Sequence, residues 1–319
     1  MSGLTLGTRS SALALAQTHL VRAALAATHP DLPTEIREFK TTGDKRQDLS
    51  LSSAVHGDAG EHIEKGLFTK ELELALLAGE IDVAIHSLKD LPTANPAGLM
   101  VAAVLPRANP EDVLIFKVAA ADYREAIPLA HGSTIATSSV RRQLQLQLRR
   151  PDLRVVDIRG NVGTRLEKLR DRPDWSALVL ARAGLERLGF DLASGILTIS
   201  GAQFGVRSLG YEILLPAVGQ GAIALQTRDT DKATLAALDA INHAETFTNV
   251  TAERELLRRL GGGCQAPVGV TTVLRDGELT MHAVFHYRAG EPPRKGVASG
   301  RDPLEVAAAV AAQLLSSHA

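Results

Sequence analysis

The chain has little of several features that define common protein classes. Its 319 residues include one cysteine and 3% aromatic residues, and the formal net charge is −1. A lone thiol excludes an intramolecular disulfide and a site made of several thiolates. Few aromatics and a balanced charge argue against a nucleic-acid partner. No stretch approaches the roughly 18 apolar residues of a membrane span, and the N-terminal apolar run lacks a basic lead-in. We therefore expect a cytoplasmic protein with no membrane partner.

The length and the distribution of charge indicate more than one domain and a local basic region. About 320 residues exceed one ordinary core, so two or three domains are expected. Residues 131–190 hold twelve Arg and Lys against six Asp and Glu, which gives this segment a net charge of +6. A charge excess is most often a solvated face. The positions of the arginines therefore decide whether the excess has a function.

Three apolar runs in this segment each end in a turn that opens a helix, with arginine at the junction. The first run, 133–137, leads to Ser138 or Ser139 as the N-cap of a helix that carries Arg141 and Arg142. The other two runs lead to their own junction arginines: 155–158 to Arg159 and Arg165, and 178–181 to Arg187. Cations in a first turn oppose the helix dipole unless an anion lies between them. Repeated strand–turn–helix units indicate an α/β sheet, whose ligands bind beyond the carboxyl ends of the strands. We expect a phosphate or multi-carboxylate site here.

The first hundred residues repeat the strand–turn–helix pattern with different chemistry. Arg9 and Ser11 open a helix after the strand 4–7, and the polar stretch 41–65 is typical of a long mobile loop that forms a lid or binds a ligand. A buried strand at 82–86 is followed directly by Lys89 and Asp90. An exposed Lys–Asp pair contributes little to stability. At a strand end in an α/β domain, the alternative is that this pair takes part in catalysis.

The single cysteine, Cys264, lies between three glycines and Pro267. This setting predicts a tight, exposed loop rather than a packed position in a core. Two interpretations remain open at this point: an incidental loop cysteine, and a covalent attachment point or nucleophile. His56 and His62, with Asp58 and Glu61, match no standard metal-ligand spacing, so no metal site is expected.

Five motifs occur together in one order, and with them the chain resembles the porphobilinogen deaminase family. The resemblance covers essentially the whole chain. The motifs are SLKDLP at 87–92, TSSVRR at 137–142, RGNVGTRL at 159–166, LPAVGQGA at 215–222 and GGC at 262–264.

The resemblance implies a transferase of tetrapyrrole (haem- and chlorophyll-type) biosynthesis. The family condenses four porphobilinogens head to tail into linear hydroxymethylbilane and releases ammonia at each step. It does so on a dipyrromethane cofactor, a primer built from substrate and attached by a thioether to one cysteine, here Cys264. Each pyrrole carries an acetate and a propionate, and arginine suits such a ligand because it binds carboxylate bidentately and keeps its charge. A monomer is expected.

The resemblance also assigns roles to individual residues. Asp90, with Lys89, is expected to carry catalysis by assisting departure of ammonia and stabilising the cation that follows. The expected cofactor-binding residues are Cys264, Lys89, Asp90, Ser139, Arg141, Arg142, Arg159, Gly160 and Arg165. The expected substrate-binding residues are Arg9, Ser11, Lys65, Arg187, Gln17 and Gln220. The chain departs from the family at Glu64, where a glycine is usual, and in the irregular segment 191–213, which has no functional interpretation.

The architecture implied by the family is α/β with three domains. Domain 1 comprises residues 1–105 and 222–239, and domain 2 comprises residues 106–221; together they resemble a two-lobed periplasmic binding protein. Domain 3, residues 244–319, is a small α+β unit with an antiparallel sheet, and a helix at 251–260 leads to the cysteine loop. A non-catalytic two-lobed anion-binding protein is the alternative, and it explains the arginines but neither Cys264 nor Asp90.

Overall fold

The computed structural model describes residues 3–40, 69–262, 266–286 and 291–316. Several sequence predictions lie outside the described residues: Cys264, and the loop at 41–65 with His56, Asp58, Glu61, His62, Glu64 and Lys65. The described chain forms a mixed α/β protein with three sheets, of five, six and three strands. Within the described residues, no helix combines the length and the apolar character that crossing a membrane requires.

The first sheet has the strand order β2-β1-β3-β11-β4. Its strands are β1 (Leu4–Arg9), β2 (Thr34–Phe39), β3 (Val83–Ser87), β4 (Leu99–Val104) and β11 (Ile223–Arg228). Strands β1, β2 and β3 are parallel, whereas β11 pairs antiparallel with both β3 and β4. The chain therefore leaves this sheet after β4 and returns to it at β11. Its helices are α1 (Ala12–Thr28), α2 (Lys70–Leu77) and α6 (Lys232–Asp239).

The second sheet has the strand order β7-β6-β8-β5-β10-β9. Its strands are β5 (Asp112–Lys117), β6 (Thr134–Ala136), β7 (Arg154–Val156), β8 (Ala177–Ala181), β9 (Ile196–Ile199) and β10 (Ala202–Leu209). Its helices are α3 (Val140–Arg149), α4 (Val162–Asp171) and α5 (Arg182–Arg187). The segment 191–213 thus contains the antiparallel pair β9–β10 at the edge of this sheet.

The third sheet is antiparallel and lies near the C-terminus. It consists of β12 (Val268–Arg275), β13 (Glu278–Phe285) and β14 (Arg294–Gly300). Two helices accompany it, α7 (Ala244–Arg259) and α8 (Pro303–Leu315), and an apolar core joins both helices to the sheet. Asp302 caps α8 by accepting from two of its free amide groups, and Pro303 occupies the position where a missing N–H has no cost.

The predicted strand–turn–helix units are confirmed, with two corrections. Helix α7 begins at Ala244, seven residues before the predicted start, because His243 caps it by accepting from the amide of Thr246. Arg187 lies in the last turn of α5 rather than at the junction before it. Each of the three sheets has its own buried apolar residues. The division into three domains stays a prediction.

Candidate functional site

The turn after β3 places Lys89 and Asp90 at the edge of the first sheet. Strand β3 is almost wholly buried, and residues Leu88–Asp90 form a single 3-10 turn at its carboxyl end. Leu88 and Leu91 enter an apolar cluster and fix the two sides of this turn. Consequently Lys89 lies half-buried and Asp90 is exposed. A charged pair held in this way is available to a ligand.

The side chain of Gln17 stabilises the start of this turn. Its side chain is 2% exposed, and its amide exchanges hydrogen bonds with the hydroxyl of Ser87, at 2.9 Å from Nε2 and 3.1 Å to Oε1. Ser87 immediately precedes the turn. The amide of Gln17 is therefore engaged in holding the turn, and its predicted contact with substrate stays a prediction.

Helix α3 places two arginines at the carboxyl end of β6. Its N-cap, Ser139, makes no side-chain capping bond, and the first turn contains no acid. Arg141 and Arg142 are nevertheless buried, at 4% and 6% exposure. Two cations in a buried first turn need a counter-charge because the helix dipole also opposes them.

Asp112, at the start of β5, supplies that counter-charge. Its fully buried carboxylate accepts from Arg141 at 2.8 Å, from Arg142 at 2.7 Å and from Gln220 Nε2 at 2.9 Å. Burial alone raises the pKa of Asp112, but the two guanidinium groups outweigh it and hold that pKa well below its usual range. One anion thus partly neutralises two cations, and the site keeps an excess of positive charge.

Three buried guanidinium nitrogens, in arginines at the starts of α3 and α4, have no hydrogen-bond partner in the described part of the chain. They are Arg141 Nε, Arg142 Nε and Arg159 Nη2. A buried donor left unpaired costs free energy, and native proteins almost always provide an acceptor. Carboxylate oxygens are the acceptors that guanidinium groups bind most strongly. These nitrogens are therefore suited to the acidic groups of a ligand.

The next two arginines lie around the start of α4: Arg159 precedes its N-cap, and Arg165 lies inside the helix. Asn161 caps it by accepting from the amide of Thr164, and Gly160 before it has a φ of +111°, where an added Cβ would lie 2.8 Å from the Thr164 side chain. Glycine is therefore required at this position. Arg165 donates from Nε to the carbonyl of Gly160 at 2.7 Å, which turns it back toward Arg159.

Electrostatic interactions connect Lys89 and Asp90, which follow β3, with Arg142 and Arg165 of the second sheet. Burial lowers the pKa of Lys89 to about 8, with Asp90 opposing this and Arg142 contributing to it. Burial likewise lowers the pKa of Arg165 to about 10, and Arg142 adds to the effect while Asp90 opposes it. We call Lys89, Arg141, Arg142, Arg159 and Arg165 the basic cluster. Asp90 lies beside this cluster, and its carboxylate is exposed.

The remaining predicted substrate-binding residues of the described chain differ in their local contacts. Arg187, in α5, donates to the carbonyl of Gly221 at 2.6 Å, and burial lowers its pKa to about 10. Ser11 caps α1 through the amide of Ala14, and Arg9 ends β1. Gln220 is 1% exposed and gives its amide to Pro110 and Asp112. Gln220 therefore contributes to the Asp112 network, and its contact with substrate stays a prediction.

Three residues that organise the site carry no signal in the sequence. Asp112 holds the paired arginines, while Glu253 and Arg254 in α7 hold the segments around the turn. Each has partners 29 or more positions away, so no local motif marks it. Within the described residues, no group of three or more His, Cys, Asp and Glu is arranged to hold a metal ion. His56, His62, Asp58 and Glu61 lie outside them.

The fold and the site define an α/β protein with two larger sheets and, where they meet, a basic cluster suited to a ligand with several carboxylates. Two family models together match most of the chain. Residues 4–236 match "Porphobilinogen deaminase, dipyromethane cofactor binding domain", and residues 247–316 match "Porphobilinogen deaminase, C-terminal domain". The chain belongs to the porphobilinogen deaminase family, whose members are transferases.

Similar proteins agree with this assignment over nearly the full length. The porphobilinogen deaminase of Syntrophomonas wolfei is 43% identical over 93% of this chain and 89% of its own. That of Roseiflexus castenholzii is 40% identical over 99% of this chain and 97% of its own. Among solved structures, the periplasmic VFT2 domain of BvgS from Bordetella pertussis covers 74% of this chain and 86% of its own, at 15% identity and a TM-score of 0.40.

Proposed function

We propose that the protein condenses four porphobilinogens into hydroxymethylbilane on a dipyrromethane held by Cys264. The observation that carries this proposal is a set of buried guanidinium donors, on Arg141, Arg142 and Arg159, that have no acceptor among the described residues and have Lys89 and Asp90 nearby. A growing chain of pyrroles brings two carboxylates per ring, so each added ring supplies acceptors for such donors. A site for one phosphate or one carboxylate would need fewer cations.

The residues present fit the dipyrromethane. Arg141, Arg142, Arg159, Arg165 and Lys89 would bind its carboxylates, with Ser139 and Gly160 at the starts of α3 and α4 adding main-chain and hydroxyl donors. When bound, the group supplies the free pyrrole carbon on which the chain grows. The unpaired donors are the reason for this assignment, since they lack acceptors among the described residues.

Asp90 would act on the incoming substrate. As the C–N bond of porphobilinogen breaks, ammonia leaves with the electron pair and positive charge develops on the pyrrole. An exposed carboxylate next to the basic cluster can hydrogen-bond the pyrrole N–H and stabilise that charge. The carbon–carbon bond then forms, and the attacking pyrrole carbon loses a proton. Lys89 would hold a carboxylate beside this centre.

The other predicted residues would bind the incoming substrate. Arg9 and Arg187 would bind the carboxylates of the incoming ring, and Ser11 stands at the N-terminus of α1, whose free amides favour anions. Gln17 and Gln220 would act through the turn and through Asp112, as their hydrogen bonds indicate. Lys65 keeps its predicted role.

The lone cysteine must stay reduced to carry a thioether, which supports a cytoplasmic location. We further propose a monomer, which sedimentation of the purified protein tests.

The decisive experiment is intact-mass spectrometry combined with an ammonia-release assay. The purified protein should carry an excess mass equal to one dipyrromethane, and this mass should be lost in Cys264→Ser together with activity. An unmodified wild-type protein that still forms hydroxymethylbilane contradicts the primer role of Cys264. A protein that binds porphobilinogen but releases no ammonia supports the alternative, a non-catalytic anion-binding protein.

A further inference from the structure

Arg254 connects the helix that leads to Cys264 with the turn that carries Asp90. From α7 it donates Nη1 to the carbonyl of Leu91 at 3.2 Å and Nη2 to the carbonyls of Pro92 and Thr93, at 2.8 and 3.2 Å. These three carbonyls directly follow Asp90 in the chain. All of the partners that the structure gives Arg254 are main-chain oxygens, and burial lowers its pKa to about 10.

The same face of α7 also packs on the turn. Val250, one helical turn before Arg254, belongs to the apolar cluster that contains Leu88 and Leu91. On the other side, a Cβ added to Gly219, where φ is +68°, would lie 2.9 Å from Leu88. The Leu88–Asp90 turn is thus held from both sides, and Arg254 is the polar part of that contact.

Consecutive residues of α7 hold different parts of the protein. Glu253 binds Arg107 in two places and accepts from the amide of Gly219, both in the segments that connect the two larger sheets. Arg254 binds the turn. Helix α7 ends at Arg259, and Cys264 follows five residues later, outside the described residues. A rigid helix fixed at Arg254 therefore sets where the cysteine loop begins relative to Asp90.

We infer that Arg254 is a positioning residue, which fixes the C-terminal part of α7, from which the chain continues to Cys264, relative to Asp90 through the carbonyls of Leu91, Pro92 and Thr93. The inference rests on the proposed function and deepens it. A displacement of about 1 Å between reacting groups can cost roughly a hundredfold in rate. Loss of this clamp should accordingly slow turnover while primer attachment and substrate binding persist, because neither the basic cluster nor Cys264 is changed.

The test compares Arg254→Leu with Arg254→Lys and with the control Arg258→Leu. Arg258 lies one turn further along α7, is exposed, and pairs with Glu255 on the same helix. Arg254→Leu should carry the primer by intact mass, keep KM within about threefold and lose kcat by about a hundredfold. Arg254→Lys should recover part of the rate, since one ammonium reaches fewer of the three carbonyls. Arg258→Leu should match the wild type.

A second readout does not depend on activity. Hydrogen exchange of the main-chain amides in 88–95 should become faster in Arg254→Leu but stay unchanged in Arg258→Leu, because the clamp then no longer restrains that segment. In an Asp90→Asn background, adding Arg254→Leu should lower kcat by less than about a further threefold, as expected for residues that act as a unit.

Three outcomes separate the possibilities. Wild-type protein that releases no ammonia from porphobilinogen contradicts the proposed function. Active wild type with loaded Arg254→Leu protein at an undiminished kcat overturns only the inference about Arg254. A full additional hundredfold loss in the Asp90→Asn background also overturns it, because Arg254 would then act independently of Asp90.

Discussion

Arg107 and Glu253 form a two-pronged ion pair, with Nη1 to Oε1 at 2.6 Å and Nη2 to Oε2 at 3.1 Å. The Glu253 side chain is fully buried and also accepts from the amide of Gly219 and the hydroxyl of Thr272. Arg107 lies between β4 and β5, where the chain passes from the first sheet to the second. One carboxylate from the C-terminal unit therefore joins both segments that connect the larger sheets.

Replacing Glu253 should destabilise the protein strongly. Glu253→Ala leaves Arg107 buried without its anion, which should cost about 3–5 kcal/mol. Urea unfolding of the purified protein measures this loss. Glu255→Ala on the same helix is the control, because its partners Arg258 and Arg259 are exposed and such pairs contribute up to about 1 kcal/mol. Equal losses in the two variants would contradict the joining role of Glu253.

Asp112→Asn should damage both stability and primer attachment. The change leaves Arg141 and Arg142 without a counter-charge, at a cost of about 3–5 kcal/mol. Because the folded-state pKa of Asp112 lies below its unfolded value, its contribution is present above the unfolded pKa and is lost only as pH falls through the folded one. The variant should therefore have a lower free energy of unfolding than wild type at pH 7. This difference should shrink in strong acid, as urea unfolding at several pH values would show. An Asp112→Asn protein with the same free energy of unfolding as wild type at pH 7 would contradict this prediction.

The sequence predicts the chemistry of the turns better than the contacts that hold them. Runs of apolar residues locate β3, β6 and β7, and the residues after each of these strands are where the basic cluster and Asp90 lie. These features are local, since a strand and its following turn are read within ten residues. The antiparallel sheet that the family resemblance implies within residues 244–319 is confirmed.

Long-range partners could not be predicted in this way. Asp112 is one of 36 acidic residues, and only the folded chain brings it to Arg141 and Arg142. Arg254 lies in a helix with neighbouring arginines at Arg258 and Arg259, which resemble it in sequence but pair with Glu255 at the surface. Whether an arginine binds a ligand, a carboxylate or main-chain carbonyls depends on distances that a single sequence does not contain.

The rate of primer assembly should fall at high pH as Lys89 loses its proton, and we call this fall the pH limb. Since burial lowers its pKa from 10.5 to about 8, the unfolded chain binds this proton more tightly, and the free energy of unfolding should rise between these values. Binding of carboxylates needs the ammonium form, so assembly by apo-protein should slow above about pH 8. Lys89→Arg, which stays charged, should move this limb upward. The rate of mass increase with porphobilinogen at pH 7 to 9.5 measures it, and identical limbs in both proteins would contradict the assignment.

Arg159 and Arg187 should separate primer binding from substrate binding. Arg159→Leu removes a buried unpaired donor of the basic cluster, and with it a charge-assisted contact of about 1.5–3 kcal/mol. We expect mostly apo-protein by intact mass. Arg187→Leu should stay loaded and show slower substrate addition. Arg170→Leu, which loses only a surface pair with Asp171, is the control. Fully loaded Arg159→Leu protein would remove Arg159 from the primer-binding set.

Asp90→Asn tests the catalytic carboxylate itself. If Asp90 only pairs with Lys89 at the surface, the change should cost at most about 1 kcal/mol of stability and leave turnover nearly intact. If it stabilises the developing pyrrole cation, the amide keeps the size and an acceptor but loses the charge, and the barrier should rise by roughly 3–5 kcal/mol, a rate loss of about 10²–10⁴. Ammonia release by primer-loaded protein at saturating porphobilinogen measures the difference. Asp174→Asn, exposed beside Arg172, serves as the control. Activity within about tenfold of wild type would take the catalytic role away from Asp90.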